Sequence, residues 1–294
     1  EEGLKGNLAF MDGFVTTNSC DHIRRLYDVW ARYIDTPYKK ILSQPCVTTQ
    51  TCINYFTEEL IEFKKELENH FQVEISESSL RASIKLFNYM RSLLKRIYNL
   101  RKLDPPPLSG EEVCQVVMAG MVLPKEEYIS LLEALLQGLE SRQYSLSNNG
   151  RPRLMVIGSE LDNPAYLKLI EDSGGLVVAD DLCCGGRYFW DLVAEDKDPL
   201  EALAIRYLTK LPCARMHPAS SRVQQLKALA QEFHIEGVIY QSIKFCDLHA
   251  GIFPVIKMGF DELGIPVLKL EREYLLAGAG QTRTRIQAFI EVLK

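Results

Sequence analysis

The hydrophobic pattern of this 294-residue chain changes its grammar near residue 150. Before that point apolar residues recur mostly at helical spacing. After it, short β-branched runs alternate with helical stretches. Residues 7–16, NLAFMDGFVT, read as a strand entry, an Asp-Gly turn and a short buried strand. A helix follows from about Asp21, with Ile23, Leu26, Tyr27, Trp30 and Tyr33 as its apolar positions. The connector DTPYKKILSQP has room for a second short strand at 38–42. From Thr51 to about His70, Ile53, Phe56, Leu60, Phe63 and Leu67 share one helical face opposite Lys and Glu. The next helix opens at EISESSL, runs to about residue 103 and stops at DPPPLSG, because proline cannot continue it. SGEEVCQVVMAGM and PKEEYISLLEALLQGLESRQ add two more helices, so 51–143 reads as a helical block.

SLSNNGRP, residues 145–152, is a polar linker bearing Gly and Pro and marks a boundary. Beyond it, strands are expected at RLMVIGSEL, LVVADDL, IEGVIYQSI and IPVLKLE. Helices are expected at PAYLKLIEDSGG, around 188–208, and at SRVQQLKALAQEFH, IFPVIKMGFDELG and QTRTRIQAFIEVL. Strands alternating with helices predict a parallel, doubly wound sheet, whose ligands lie outside the carboxyl ends of the strands. One internal echo stands out. DGFVTTNSCDHIRRLYDVW and EGVIYQSIKFCDLHAGIFPVIKMGF each run acidic-Gly, strand, Cys-Asp, helix. The gap is seven positions from Gly13 to Cys20 and nine from Gly237 to Cys246. A pseudo-repeat and a chance likeness are both open.

Composition narrows the class. The chain is 47% apolar and 25% charged, which is ordinary for a globular protein. A net charge of −5 argues against a nucleic-acid-binding face as the main function. No apolar run reaches the roughly 20 residues of a membrane span, and no signal peptide is visible. The chain opens Glu-Glu a few residues before a strand, so its N-terminus reads as cut. The eight cysteines, without a secretory signal, point to a reducing, cytoplasmic compartment. There they act as core residues, nucleophiles or metal ligands.

Cys20 and Cys246 fall between a strand end and a helix start, on the ligand-binding edge of a parallel sheet. A helix N-terminus favours the thiolate, the form that binds metal or attacks. The plain alternative is a small residue filling a tight corner. Asp21 and Asp247 read as caps or first-turn acids, and His22 and His249 as supporting or surface groups. ADDLCCGGRYFWD, residues 179–191, is a second candidate. Its glycines permit close backbone approach, and Arg187 could grip a carboxylate or phosphate, or else pair with Asp180 or Asp181. Cys183 and Cys184 are adjacent and do not make a zinc motif. Cys46 and Cys52, spaced C-x5-C, are weaker candidates, and Cys114 and Cys213 read as packing. No Walker A, G-x-G-x-x-G, C-x2-C or G-x-S-x-G pattern occurs, and AGAG at 277–280 is too short for a nucleotide loop.

DGFVTTNSCDHIRRLYDVW, GGLVVADDLCCGGRYF and FCDLHAGIFPVIKMGFDELGIPVLKLERE with TRTRIQAFIE resemble the 2-hydroxyacyl-CoA dehydratase and benzoyl-CoA reductase superfamily, in order and spacing, over nearly the whole chain. The resemblance implies a subunit like the dehydratase D-component. It implies a 4Fe-4S cluster on three cysteines with one iron open, a homologous partner in a heterodimer or a homodimer, and a separate ATP-hydrolysing iron-sulfur activator. A low-potential electron then reaches an acyl-CoA thioester; dehydratases expel a hydroxyl group and reductases reduce an aromatic ring. Some relatives instead hold a double-cubane 8Fe-9S cluster and reduce small molecules. Carried over, Cys20 and Cys246 match cluster ligands. The third lies in a Cys-Pro element ahead of this stretch. It is absent from this stretch, so either the chain is a fragment or Cys46 or Cys52 substitutes for it. Cys183 matches a position not taken as a ligand, and Cys184 is an addition.

The expected fold class is therefore α/β, with two Rossmann- or flavodoxin-like parallel-sheet domains and a helical region between them. The divisions expected are 1–45 for the end of a truncated first α/β domain, 46–148 for the helical region and 149–294 for the second α/β domain. The expected function is a cluster-bearing subunit of a radical CoA-thioester dehydratase or reductase, with no nucleic-acid or membrane partner. The rivals are a double-cubane reductase of small molecules and a noncatalytic partner subunit.

Overall fold

The structure, a computed structural model, describes residues 1–141, 150–274 and 279–294. Most of the expected linker and the first half of AGAG lie outside the described residues. Two compact units are present. One holds residues 1–84, 193–209 and 215–217; the other holds 85–192, 210–214 and 218–294.

In the first unit, β1 (Gly13–Thr17) and β2 (Tyr38–Leu42) pair in parallel, joined by α1 (Asp21–Tyr33). Of the five apolar positions expected on α1, only Trp30 is buried. Its ring stacks on Phe14 at 4.4 Å between centroids, and its indole N–H donates to Thr36 at 2.9 Å. Leu26 and Tyr33 are exposed. The 22-residue α2 (Gln50–Phe71) starts at Thr49, whose hydroxyl accepts from the Cys52 N–H at 3.3 Å. Phe56 of α2 packs on Ala204 and Leu208 of α8 (Pro199–Thr209).

The second unit is built on β3 (Arg153–Gly158), β4 (Leu176–Asp181), β5 (Gly237–Ile243) and β6 (Val267–Arg272), all parallel in the order β4-β3-β5-β6. Helices cover both faces, so the central strands are continuous apolar runs. The pleat still sorts their side chains. Leu154 and Val156 join a core with Ile170 of α6 (Pro164–Asp172) and Ile286 of α11 (Ala279–Val292). Met155 and Ile157 join a core with Leu94 of α3 (Glu77–Asn99), Leu226 of α9 (Ala219–Glu232) and Ile256 of α10 (Asp247–Asp261). Val113 of α4 (Gly110–Val122) and Leu132 of α5 (Lys125–Glu140) extend this second core. The two parallel sheets make the chain an α/β protein.

Two details position the carboxyl edge of the larger sheet. Gly158 ends β3 with φ +145°, where a Cβ would lie 1.7 Å from the Gln241 carbonyl oxygen of β5. At the end of β4, the buried Asp180 carboxylate accepts from Gly186 N–H at 2.8 Å, Tyr98 O–H at 3.1 Å and Arg101 at 3.4 Å. Arg101 also donates to the Val177 carbonyl at 2.6 Å, which ties the turn after α3 to β4.

Gly158→Ala is expected to lower unfolding free energy by about 3 kcal/mol, from a positive φ and a backbone clash together. Asp180→Ala strands the buried Arg101 guanidinium and is expected to cost about 3–5 kcal/mol. Urea titrations followed by far-UV circular dichroism measure both.

Candidate functional site

Cys20 and Cys246 occupy equivalent corners. Gly13 opens β1 and Gly237 opens β5. Cys20 follows the last residue of β1, Thr17, as Cys246 follows the last residue of β5, Ile243, across the same two-residue gap. The unequal Gly-to-Cys gaps are thus a difference in strand length, five residues against seven. Each cysteine is the residue immediately before a helix, and its carbonyl takes the first helical bond: Arg24 N–H at 3.1 Å from Cys20, Ala250 N–H at 2.9 Å from Cys246. Neither thiol caps its helix, and both are half-buried. Each cysteine stands at the N-terminal, positive end of its helix dipole. Phe245, at φ +66° and exposed, turns the backbone just before Cys246. Cys20 belongs to the first unit and Cys246 to the second.

In the first unit the loops after β1 and β2 are stitched together. Asn18 Oδ1 accepts from the Gln44 N–H at 3.0 Å. Arg215 donates to the Pro45 carbonyl at 2.7 Å, to the Gln44 carbonyl and to Asn18 Oδ1 at 3.4 Å. The His217 N–H donates to the Cys46 carbonyl at 2.8 Å. The loop bearing Cys46, which is exposed, is therefore fixed beside the loop leading to Cys20. Cys52, half-buried, sits in the first turn of α2. His22 is exposed, and Asp21 pairs with Arg24 at 3.2 Å and Arg25 at 3.8 Å. Nothing in the periodicity signals Arg215 or His217, because their partners lie so far away along the chain, 170 residues in the case of Arg215 and Pro45.

In the second unit, ADDLCCGGRYFWD, which contains the short α7 (Gly186–Phe189), folds around its own carboxylates. A Cβ on Gly185 would lie 1.9 Å from Asp180 Oδ1, so this glycine admits Asp180. Arg187, 3% exposed, donates to the Gly158 carbonyl at 3.1 Å and Asp181 at 3.5 Å, and contacts Cys183 Sγ at 3.2 Å. Of the two readings open for Arg187, the ion pair is the one observed. Arg222 of α9, 1% exposed and unsuspected from its helical pattern, pairs with the same Asp181 oxygen and donates to the Pro212 carbonyl at 2.6 Å.

The remaining thiols and His249 separate by environment. Burial pushes the Cys114 thiol up to about 12. Burial and Glu160, which accepts from Cys184 at 2.7 Å, push Cys184 up as well. Both are packing residues at neutral pH. Cys183 is exposed and Cys213 half-buried. His249 is buried, with Nδ1 3.0 Å from the Tyr240 hydroxyl. Burial, aided by Arg222 and Arg187, pushes its imidazole down to about 2, so it stays neutral. Among the described residues no group of three or more His, Cys, Asp and Glu side chains is arranged to hold a single metal ion. No described helix is long and apolar enough to cross a membrane.

Comparison with known proteins shows what the whole chain is similar to. The Escherichia coli protein YjiM, whose name describes a dehydratase subunit, is 30% identical over 97% of this chain and 75% of its own length. One of the benzoyl-CoA reductase subunits of Thauera aromatica is 29% identical over 84% of this chain and 65% of its own length. The beta subunit of (R)-2-hydroxyglutaryl-CoA dehydratase from Acidaminococcus fermentans is 26% identical over 99% of this chain and 78% of its own length. Residues 1–293 match the family described as "2-hydroxyglutaryl-CoA dehydratase, D-component", and the chain belongs to that family.

Proposed function

We propose that this chain is the iron-sulfur subunit of a radical 2-hydroxyacyl-CoA dehydratase or benzoyl-CoA-type reductase acting in the cytoplasm. The observation that carries the reading is the pair of matching strand–helix corners, each ending in a thiol that makes no cap. Thiolates are the ordinary ligands of iron-sulfur clusters, and helix N-termini offset a cluster's negative charge. The donors fit a 4Fe-4S cluster in chemical type. Cys20 and Cys246 each supply one thiolate in this reading. Cys46, fixed beside the loop that leads to Cys20, is the candidate third donor within this stretch. Bound there, the cluster would supply a low-potential electron to an acyl-CoA thioester, with an open iron acting as a Lewis acid.

The relatives are named as subunits, which supports a homologous partner chain. An ATP-dependent iron-sulfur activator belongs to the same reading. The chain's own contribution is to hold thiolates at two helix starts.

Iron and acid-labile sulfide are to be measured on protein purified without oxygen. About four irons per chain is the expected result. About eight would favour the double-cubane reductase instead, and none would favour a noncatalytic partner subunit. Cys20→Ser and Cys246→Ser are each expected to weaken iron retention by about tenfold or more. Iron content unchanged in either variant removes that residue from the ligand set.

A further inference from the structure

The carboxyl edge of the four-stranded sheet carries a buried charge that its own side chains do not balance. Asp181 is a single carboxylate facing two guanidiniums, Arg187 and Arg222, and all three residues are at most 3% exposed. Nε of each arginine is buried and has no hydrogen-bond partner. Besides Asp181, the groups that act most strongly on the pair are Cys183, Cys213 and Tyr240, and His249 in turn feels both arginines. His249 is neutral, and burial holds Tyr240 protonated. Cys183 is an exposed residue, yet desolvation around its sulfur outweighs Arg187 and pushes the thiol up. None of these three, His249, Tyr240 and Cys183, supplies a full negative charge at neutral pH. A surplus cation in a low-dielectric interior is costly unless an anion completes it.

The surplus lies at the same level of the sheet as the strand that leads to Cys246: Asp181 of β4 and Tyr240 of β5 both pair with Ile157 of β3, and the Tyr240 hydroxyl lies 3.0 Å from Nδ1 of His249, three residues past Cys246. Tyr240 feels Arg222, Arg187 and Cys246, and His249, one turn into α10, feels both arginines. We infer that Arg187 and Arg222 are positioning residues whose surplus charge serves as counter-charge for an anionic cluster held at Cys246. This rests on the cluster reading above and deepens it. Nearby positive charge stabilises the more negative, reduced state of a bound cluster, so it raises the potential and slows iron loss. The arginines act through space and touch neither substrate nor iron in this scheme.

The test uses the full chain purified without oxygen, as wild type, Arg222→Met, Arg222→Lys and Asp181→Asn. Stripped of iron by a chelator, Arg222→Met is expected to melt within about 3 °C of wild type, because it leaves a balanced Arg187–Asp181 pair. Asp181→Asn, which leaves two unpaired cations, is expected to melt far lower. With iron bound, a dithionite titration followed by electron paramagnetic resonance should place the Arg222→Met couple at lower potential. Iron release to chelator should quicken about tenfold. Arg222→Lys, which keeps the charge, should restore the potential. An iron-loaded Arg222→Met protein with wild-type potential and release rate overturns the inference and leaves the cluster reading standing. So does an Arg222→Met chain that fails to fold, since the charge would then be needed by the protein itself. A wild-type chain that takes up no iron overturns both.

Discussion

Two adjacent buried carboxylates at the end of β4 hold the second unit together. Successive residues of a strand point to opposite faces, and Asp180 and Asp181 use this to recruit different elements. Asp180 gathers Tyr98 from the end of α3, Arg101 from the turn after it and the backbone of Gly186. Asp181 gathers Arg187 and, from α9, Arg222. A carboxylate buried without partners would cost far more than any single apolar contact returns. Each aspartate therefore dictates that distant chain segments arrive with matching donors. The helical stretch before the sheet, the turn after β4 and the long helix before β5 are fixed against one strand end by this requirement.

The expected elements are largely legible because they rest on local signals. Proline at 105–107 stops α3, Ser109 caps α4, and β-branched runs mark the strands. The cysteine corners are legible for the same reason: a thiol between a strand run and a helical pattern is a local arrangement. Arg222, Arg101 and Arg215 are not legible, because each looks like a surface cation until its partner, 41, 79 or 170 residues away, is brought beside it. Periodicity says which face of a helix is apolar but not what covers it. Tyr33 continues the apolar face of α1 in sequence and is 68% exposed in the fold. The glycines of LCCGGR suggest room for a ligand; at Gly185 that room is taken by Asp180.

The same packing explains why the candidate chemistry stands on loops. In an open parallel sheet the ligand crevice forms where the strand order reverses, which here is between β3 and β5. There the ends of β3 and β5 are tied to each other by the protein's own groups. Gly158 brings the β3 backbone against Gln241, whose side chain donates to the Ser159 carbonyl at 2.6 Å and accepts from Arg272 at 2.7 Å. The Ser159 hydroxyl then accepts the Ile243 N–H at 2.7 Å, closing the strand ends. The side chains that lie past these closed strand ends project beyond the sheet. Cys183 and Cys246 do so, each a few positions past a strand end and each beside the arginine–aspartate group or the tyrosine that senses it. Closure of the strand ends fixes the backbone from which these thiols project.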